Sequence, residues 1–161
     1  MNRLDKLEAE SIYILREAYK HFGKLGMLWS IGKDSTVLVW LALKAFYGHV
    51  PFQAIHVDTT FKFPTMYKFR EEYAKKWDLD LVVHTNWDAI KQGVNYDNNT
   101  ALEVCHELKT VGLQQVMDEH DFEGLILGIR SDEEGSRSKE RFFSVRNSDF
   151  EWDYTDQPPE L

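Results

Sequence analysis

From Leu4 to Phe22 the apolar residues Leu4, Leu7, Ile12, Ile14, Leu15, Ala18 and Phe22 recur with the spacing of one helix face, with Glu and Lys between them. That predicts an amphipathic surface helix packed on something larger. The pattern then shifts to short apolar runs. "LGMLWS" ends in a turn signal and predicts a buried strand, and "STVLVWLALKAFYG" has the length of a helix closed by Gly48. "PFQAIHVDT" predicts a second strand, after which Pro64 opens a helix whose Met66, Phe69, Tyr73 and Trp77 share one face. "LDLVVHT" predicts a third strand, Ala101 to about His120 one long helix, and "GLILGI" a fourth strand edged by Gly124 and Gly128. Strands alternating with helices predict an α/β fold, a doubly wound, mostly parallel sheet with helices on both faces. Between the third strand and its helix, "NWDAIKQGVNYDNNT" is polar and rich in turn formers, the character of a lid or binding loop. After Ser131 regular periodicity stops, and the chain ends at Glu160-Leu161 with no closing element, which reads as a piece of a longer protein.

Size and charge narrow the function. At 161 residues and 43% hydrophobic, the chain has material for one core, so a single domain over residues 1–161 is expected. Nineteen basic residues stand against 27 acidic ones, and a formal charge of -8 argues against a nucleic-acid partner. Any phosphate contact must be local. One cysteine, Cys105, excludes an internal disulfide and fits a reducing cytoplasm, and no run approaches the roughly 18 apolar residues of a membrane span. Cys105 and His106 lie on the predicted long helix without further ligands and read as a packed thiol and a surface imidazole. The tryptophans Trp29, Trp40, Trp77, Trp87 and Trp152 read as core.

In a doubly wound sheet, ligands bind where loops leave the carboxyl ends of the strands. "SIGKDS", "HVDTTFKF", the polar stretch and "GIRSDEEGSRSKER" all fall there. In the first, Gly32 admits an oxyanion to backbone N–H groups, and the following helix points its positive end at the same place. Lys33 adds a mobile charge, Ser30 and Ser35 add hydroxyls, and Asp34 can cap the helix or hold a lysine or a metal ion; an ordinary strand-to-helix turn capped by Asp34 or Ser35 is the plainer alternative. The spacing is neither that of the Walker loop nor that of the dinucleotide fingerprint.

"SIGKDS" resembles the pyrophosphate-binding loop of the ATP pyrophosphatases, the PP-loop superfamily with the adenine nucleotide alpha hydrolase-like fold, usually written Ser-Gly-Gly-x-Asp-Ser. Here Ile31 replaces the first glycine. With "LEAESIYILREA", "KAFYG", "PFQAIHVDTTFKFPTMYKFRE", "ELKTVGLQQ", "SDEEGSRSKERFFSVRN" and "QPPEL", the chain is similar nearly throughout to the small, ATP-using subunit family of bacterial sulfate adenylyltransferase. That family lies in the superfamily of the phosphoadenylylsulfate reductases.

The resemblance implies transfer of the adenylyl group of ATP to sulfate, with magnesium, beside a large GTPase subunit whose GTP hydrolysis drives an uphill reaction. It implies that Ser30, Gly32, Lys33, Asp34 and Ser35 cradle the β- and γ-phosphates, and that His56, Val57 and Asp58 bind adenine chiefly through backbone groups. Phe61 would flank the base, and Gly128 would line the nucleotide. Lys33, Lys109, Arg130, Arg137 and Arg141 would carry the charge of the reaction, and Arg130, Asp132, Glu133, Arg137 and Lys139 would meet the acceptor. Asp132 and Glu133 would either orient the arginines or help hold magnesium; no metal ligands are assigned.

Departures matter too. Where the family commonly reads Gly-Ala-Arg-Arg-Asp-Glu-Glu-Lys-Ser-Arg, this chain reads "GIRSDEEGSR", with Ser131 for an arginine and Gly135 for a lysine. The C-terminal half typical of the family is absent from the sequence given. A different acceptor is the first alternative. A reductase of the same superfamily is the second, but it needs a cysteine near the C-terminus, and Cys105 stands elsewhere.

Overall fold

A computed structural model describes residues 2–147, 151–153 and 155. The chain divides into two compact units, Met1–Leu127 and Gly128–Leu161. The first begins with α1 (Arg3–His21), closed at its start by a capping box in which Asn2 and Asp5 satisfy each other's backbone N–H groups. There follow β1 (Leu25–Leu28), α2 (Lys33–Ala45), β2 (Gln53–Val57), α3 (Pro64–Lys76) and β3 (Leu81–His84). Gly48, at φ +94°, takes the left-handed turn after α2 that favours a glycine. Three elements then make one interrupted rod: α5 (Ala101–Cys105), a π segment (His106–Val111) and α6 (Gly112–His120), before β4 (Gly124–Ile126).

The four strands are parallel and stand in the order β3-β2-β1-β4. The chain therefore builds outward from β1 to β3, then returns to the other side of β1. That reversal between β1 and β4 is the switch point where such sheets open a crevice. Helices cover both faces. Val116 of α6 packs with Ile55, Leu28 and Leu125 on one face, while Trp29 meets Phe69 and Trp77, at the end of α3, at ring distances of 6.4 Å. This is the expected doubly wound sheet.

Three expectations need correction. The polar stretch contains a helix, α4 (Trp87–Lys91), because Ala89 and Ile90 join Val104 and Leu108 in a small core of their own. The long helix is not regular throughout, since six residues wind as a π segment. And tryptophan is not uniformly core: Trp29 is fully buried, but Trp40 and Trp87 are half exposed. Cys105 is partly buried and His106 exposed, and among the described residues no three metal-ligating side chains gather.

Beyond Leu127 the second unit holds a 3-10 turn, Gly135–Arg137, and an antiparallel bridge between Arg146 and Trp152. The "QPPEL" stretch lies outside the described residues.

Candidate functional site

The loop after β1 is tied at its root. Trp29 donates its amide to Ile55 O at 2.7 Å and its indole N–H to Thr36 Oγ1 at 3.1 Å, and its carbonyl accepts His56 Nδ1 at 2.8 Å. Beyond it, Ile31 has φ +68°, a left-handed conformation that β-branched residues avoid. This is the position where the resembled loop carries glycine. A closed ring of hydrogen bonds follows. Gly32 N donates to Ser30 Oγ at 3.4 Å and Ser35 Oγ donates to Gly32 O at 3.2 Å, which makes Ser30 the donor in its 3.0 Å contact with Ser35.

Gly32, not Asp34 or Ser35, caps α2, and it offers no side-chain hydrogen bond. Asp34 turns instead to Lys33 Nζ at 2.9 Å, and the Lys33 side chain is 88% exposed. The first turn of a 13-residue helix thus presents backbone N–H groups without a side-chain cap, beside two hydroxyls and an exposed lysine paired with Asp34. Such an end attracts an oxyanion.

The loop after β2 is built differently. His56 is wholly buried, and burial above all lowers its pKa to about 4, so it is a neutral ring donating to Trp29 O and no general base. Asp58 accepts from Thr60 N at 2.8 Å, Tyr67 Oη at 3.2 Å and Arg70 Nη1 at 3.2 Å, and pairs with Lys62 Nζ at 3.7 Å. Burial would raise its pKa, but the Thr60 N–H, the Lys62 charge and the Tyr67 hydroxyl together hold it below the usual value. For Lys62, burial lowers the pKa, Asp58 opposes, and the Lys109 and Arg70 charges lower it further. Val57 O already accepts from Lys62 Nζ at 3.2 Å, and Asp58 N already donates to His84 O at 2.7 Å. Of these two backbone groups expected to meet adenine, only the carbonyl has a lone pair to spare.

The π segment docks over the ends of β2 and β3. Asn86 Nδ2 donates to Glu107 O at 2.9 Å, and Gly112 lies so close that a Cβ there would come within 3.2 Å of Val57 Cγ1. Lys109 is exposed on this segment. Phe61 meets Tyr96 of the polar stretch edge-on at 4.9 Å, and both rings are about half exposed.

Within the second unit, Arg130 Nε pairs with Asp132 at 2.9 Å, and Arg137 with Glu133 at 2.5 Å. Each of the two carboxylates is thus paired with an arginine of the same unit. Lys139 lies over the Trp152 ring at 5.5 Å, and Arg141 N donates to Ser144 Oγ at 2.9 Å. Gly128 begins this unit.

Residues 24–152 match the family described as the phosphoadenosine phosphosulfate reductase domain. The chain belongs to that family. It is 46% identical to sulfate adenylyltransferase subunit 2 of Mesorhizobium japonicum, over 100% of this chain and 54% of that protein. It is 49% identical to the protein of the same name from Nocardia farcinica, covering 53% of it. The chain spans about half the length of the curated relatives it matches. Among solved structures it is similar to a phosphoadenylyl-sulfate reductase from Candida auris, with a TM-score of 0.62 and 19% identity over 81% of this chain and 69% of that one. It also resembles the FMN adenylyltransferase of Candida glabrata solved with ATP, with a TM-score of 0.58 and 15% identity over 91% of this chain and 48% of that one. Both likenesses speak for the fold.

In this member of the phosphoadenosine phosphosulfate reductase domain family, three residues of the Asp58 cluster escaped the sequence reading: Lys62, Tyr67 and Arg70. Lys62 stood in plain sight four residues after Asp58. Tyr67 and Arg70 recur at i and i+3 on α3, a spacing that puts both on one helix face. Tyr96 was hidden among turn formers.

Proposed function

We propose that the chain is the ATP-using part of a sulfate adenylyltransferase, converting ATP and sulfate to adenylyl sulfate and pyrophosphate. The observation that carries this reading is identity of 46–49% across the whole chain with relatives named subunit 2 of that enzyme. A sulfate oxygen forms a bond to the α-phosphorus while the bond from that phosphorus to the bridging oxygen of the β-phosphate breaks, and pyrophosphate takes the electron pair. No nucleophile on the protein is required.

The uncapped start of α2, with Ser30, Gly32, Lys33, Asp34 and Ser35, holds the departing pyrophosphate and neutralises charge as it develops. Adenine lies against the backbone at His56, Val57 and Asp58, with Phe61 at its flank and Gly128 lining the nucleotide. Lys109, Arg130, Arg137 and Arg141 offset the negative charge of the reacting groups, and Arg130, Asp132, Glu133, Arg137 and Lys139 serve the acceptor. Magnesium fits as an ion bound mainly to ATP, since no three metal-ligating side chains gather among the described residues. It would supply charge neutralisation on the phosphates.

The name subunit 2 supports a heteromer, and we assign the partner as a GTPase subunit that drives the uphill synthesis. A cytoplasmic setting suits the free Cys105 and the absence, among the described residues, of a helix long and apolar enough to cross a membrane.

Pyrophosphate release with ATP and magnesium, across sulfate, selenate, molybdate and no added anion, with and without the GTPase, tests the proposal. Release that needs sulfate and rises with GTP is the expected result. Release indifferent to every anion would mean that the acceptor is another molecule.

A further inference from the structure

The rod from Ala101 to His120 is wound irregularly where one buried side chain grips it. Asn86, 4% exposed at the start of α4, donates from Nδ2 to Glu107 O at 2.9 Å, while its Oδ1 accepts from Ala89 N at 3.1 Å and its carbonyl from Ile90 N at 3.3 Å. The same residue faces the rod a second time, for a Cβ placed on Gly112 would lie 3.9 Å from the Asn86 Cβ and 3.2 Å from Val57 Cγ1. Glu107 and Gly112 stand five positions apart in the chain. An α-helix would set them about 140° apart around its axis, whereas the i→i+5 bonding of a π winding brings them toward one side. The π winding is thus what lets one side chain meet both. The flanks are held independently. Val104 of α5 packs with Ala89 of α4, and His84 Nε2 at the end of β3 donates to Gln115 Oε1 of α6 at 2.9 Å. Lys109 stands between the two points that Asn86 faces.

We propose that Asn86 is a positioning residue: its side-chain amide holds the π winding and, with it, the place of Lys109 over the ends of β2 and β3. The hold on the rod follows from the contacts above; its weight in turnover rests on the adenylyl-transfer reading. Without the Asn86 donor, the Glu107 carbonyl loses the outside partner that sets this winding apart from the ordinary i→i+4 ladder. Asn86 also caps α4, but the two duties fall to different atoms, Oδ1 for the cap and Nδ2 for the rod. Aspartate has nearly the same shape, keeps an acceptor for Ala89 N and has no N–H for Glu107 O, so it separates the two.

The unmutated chain supplies the first test. NMR should show Glu107 in contact with Gly112 at i, i+5 spacing and Asn86 side-chain amide protons that exchange slowly with solvent. Only i, i+4 contacts throughout 101–120, with a fast-exchanging amide, would overturn the proposal. In Asn86→Asp the signals of residues 106–111 should move to regular α-helical spacing while Ala89 N stays protected from exchange. In turnover, Asn86→Asp should lower kcat for pyrophosphate release about tenfold with KM for ATP little changed, the mark of a contact made in the transition state. Added to Lys109→Met it should cost nothing further, because both act through one charge. An equal extra loss in the Lys109→Met background would mean that Asn86 serves stability alone, and the positioning role would fall. Should Asn86→Asp fail to fold, Asn86→Ser, which keeps a cap acceptor but offers no amide to Glu107 O, takes its place in each comparison. Loss of the π winding in either variant of a chain that never turns over ATP would sink the adenylyl-transfer reading and leave the hold of Asn86 on the rod standing.

Discussion

The loops after β1 and β2 leave neighbouring parallel strands at the same rim, yet they are made on opposite plans. The first relies on backbone and hydroxyls: an uncapped helix start, a ring of three short-range hydrogen bonds, and a lysine in solvent. The second relies on side chains already committed to one another, with Asp58 at the centre of Thr60, Lys62, Tyr67 and Arg70. A site can thus separate parts that wait for a ligand from parts that exist as structure without it. The separation predicts where function and stability come apart.

Its sharpest break comes from the second loop. Asp58→Ala strands two largely buried cations and should cost about 3 kcal/mol or more in urea denaturation, well before any assay of turnover. His56 provides the next largest effect. Its folded pKa of about 4 lies below the ordinary 6.5, so the unfolded chain binds the extra proton between those values. Its contribution is complete above pH 6.5 and is lost as pH falls toward 4, by roughly 3 kcal/mol. His56→Gln keeps a donor for Trp29 O and should flatten that part of the stability profile.

On the first loop the outcome should reverse. Lys33→Ala touches no packing, so Tm should stay within a degree or two while pyrophosphate release in the proposed reaction falls about a hundredfold, near 2.7 kcal/mol of barrier. An equal fall in Tm would erase the contrast between the loops. The smallest change is Ile31→Gly, which frees a β-branched residue from φ +68° but makes the unfolded chain more flexible. A net gain of about 0.5 kcal/mol is expected in the same denaturation experiment.

The contrast also explains what the sequence made legible. The first loop is contiguous, so Ser30, Gly32, Lys33 and Ser35 could be read from their order alone, and of the roles open to Asp34 it takes that of a lysine partner rather than a helix cap. The sheet was legible for the same reason, each strand being a short apolar run between turn formers. The Asp58 cluster draws on a strand end, a loop and a helix face, and such convergence leaves no periodic trace. Helix α4 was missed because one buried alanine and one isoleucine make too short a pattern, though Asn86, whose Oδ1 accepts from Ala89 N at 3.1 Å, is a cap signal in the sequence.

The π segment gives the rod from Ala101 to His120 a looser local winding than an α-helix, and Lys109 rides within it. Deleting Thr110 would allow ordinary α-helical winding and turn everything before it by about 100° relative to α6. Gly112 would keep its close seat on Val57, while the lysine would swing away from the strand ends. One codon therefore separates a helix that offers this charge from one that withholds it, and the same turn would lift Val104 and Leu108 from the small core they share with Ala89.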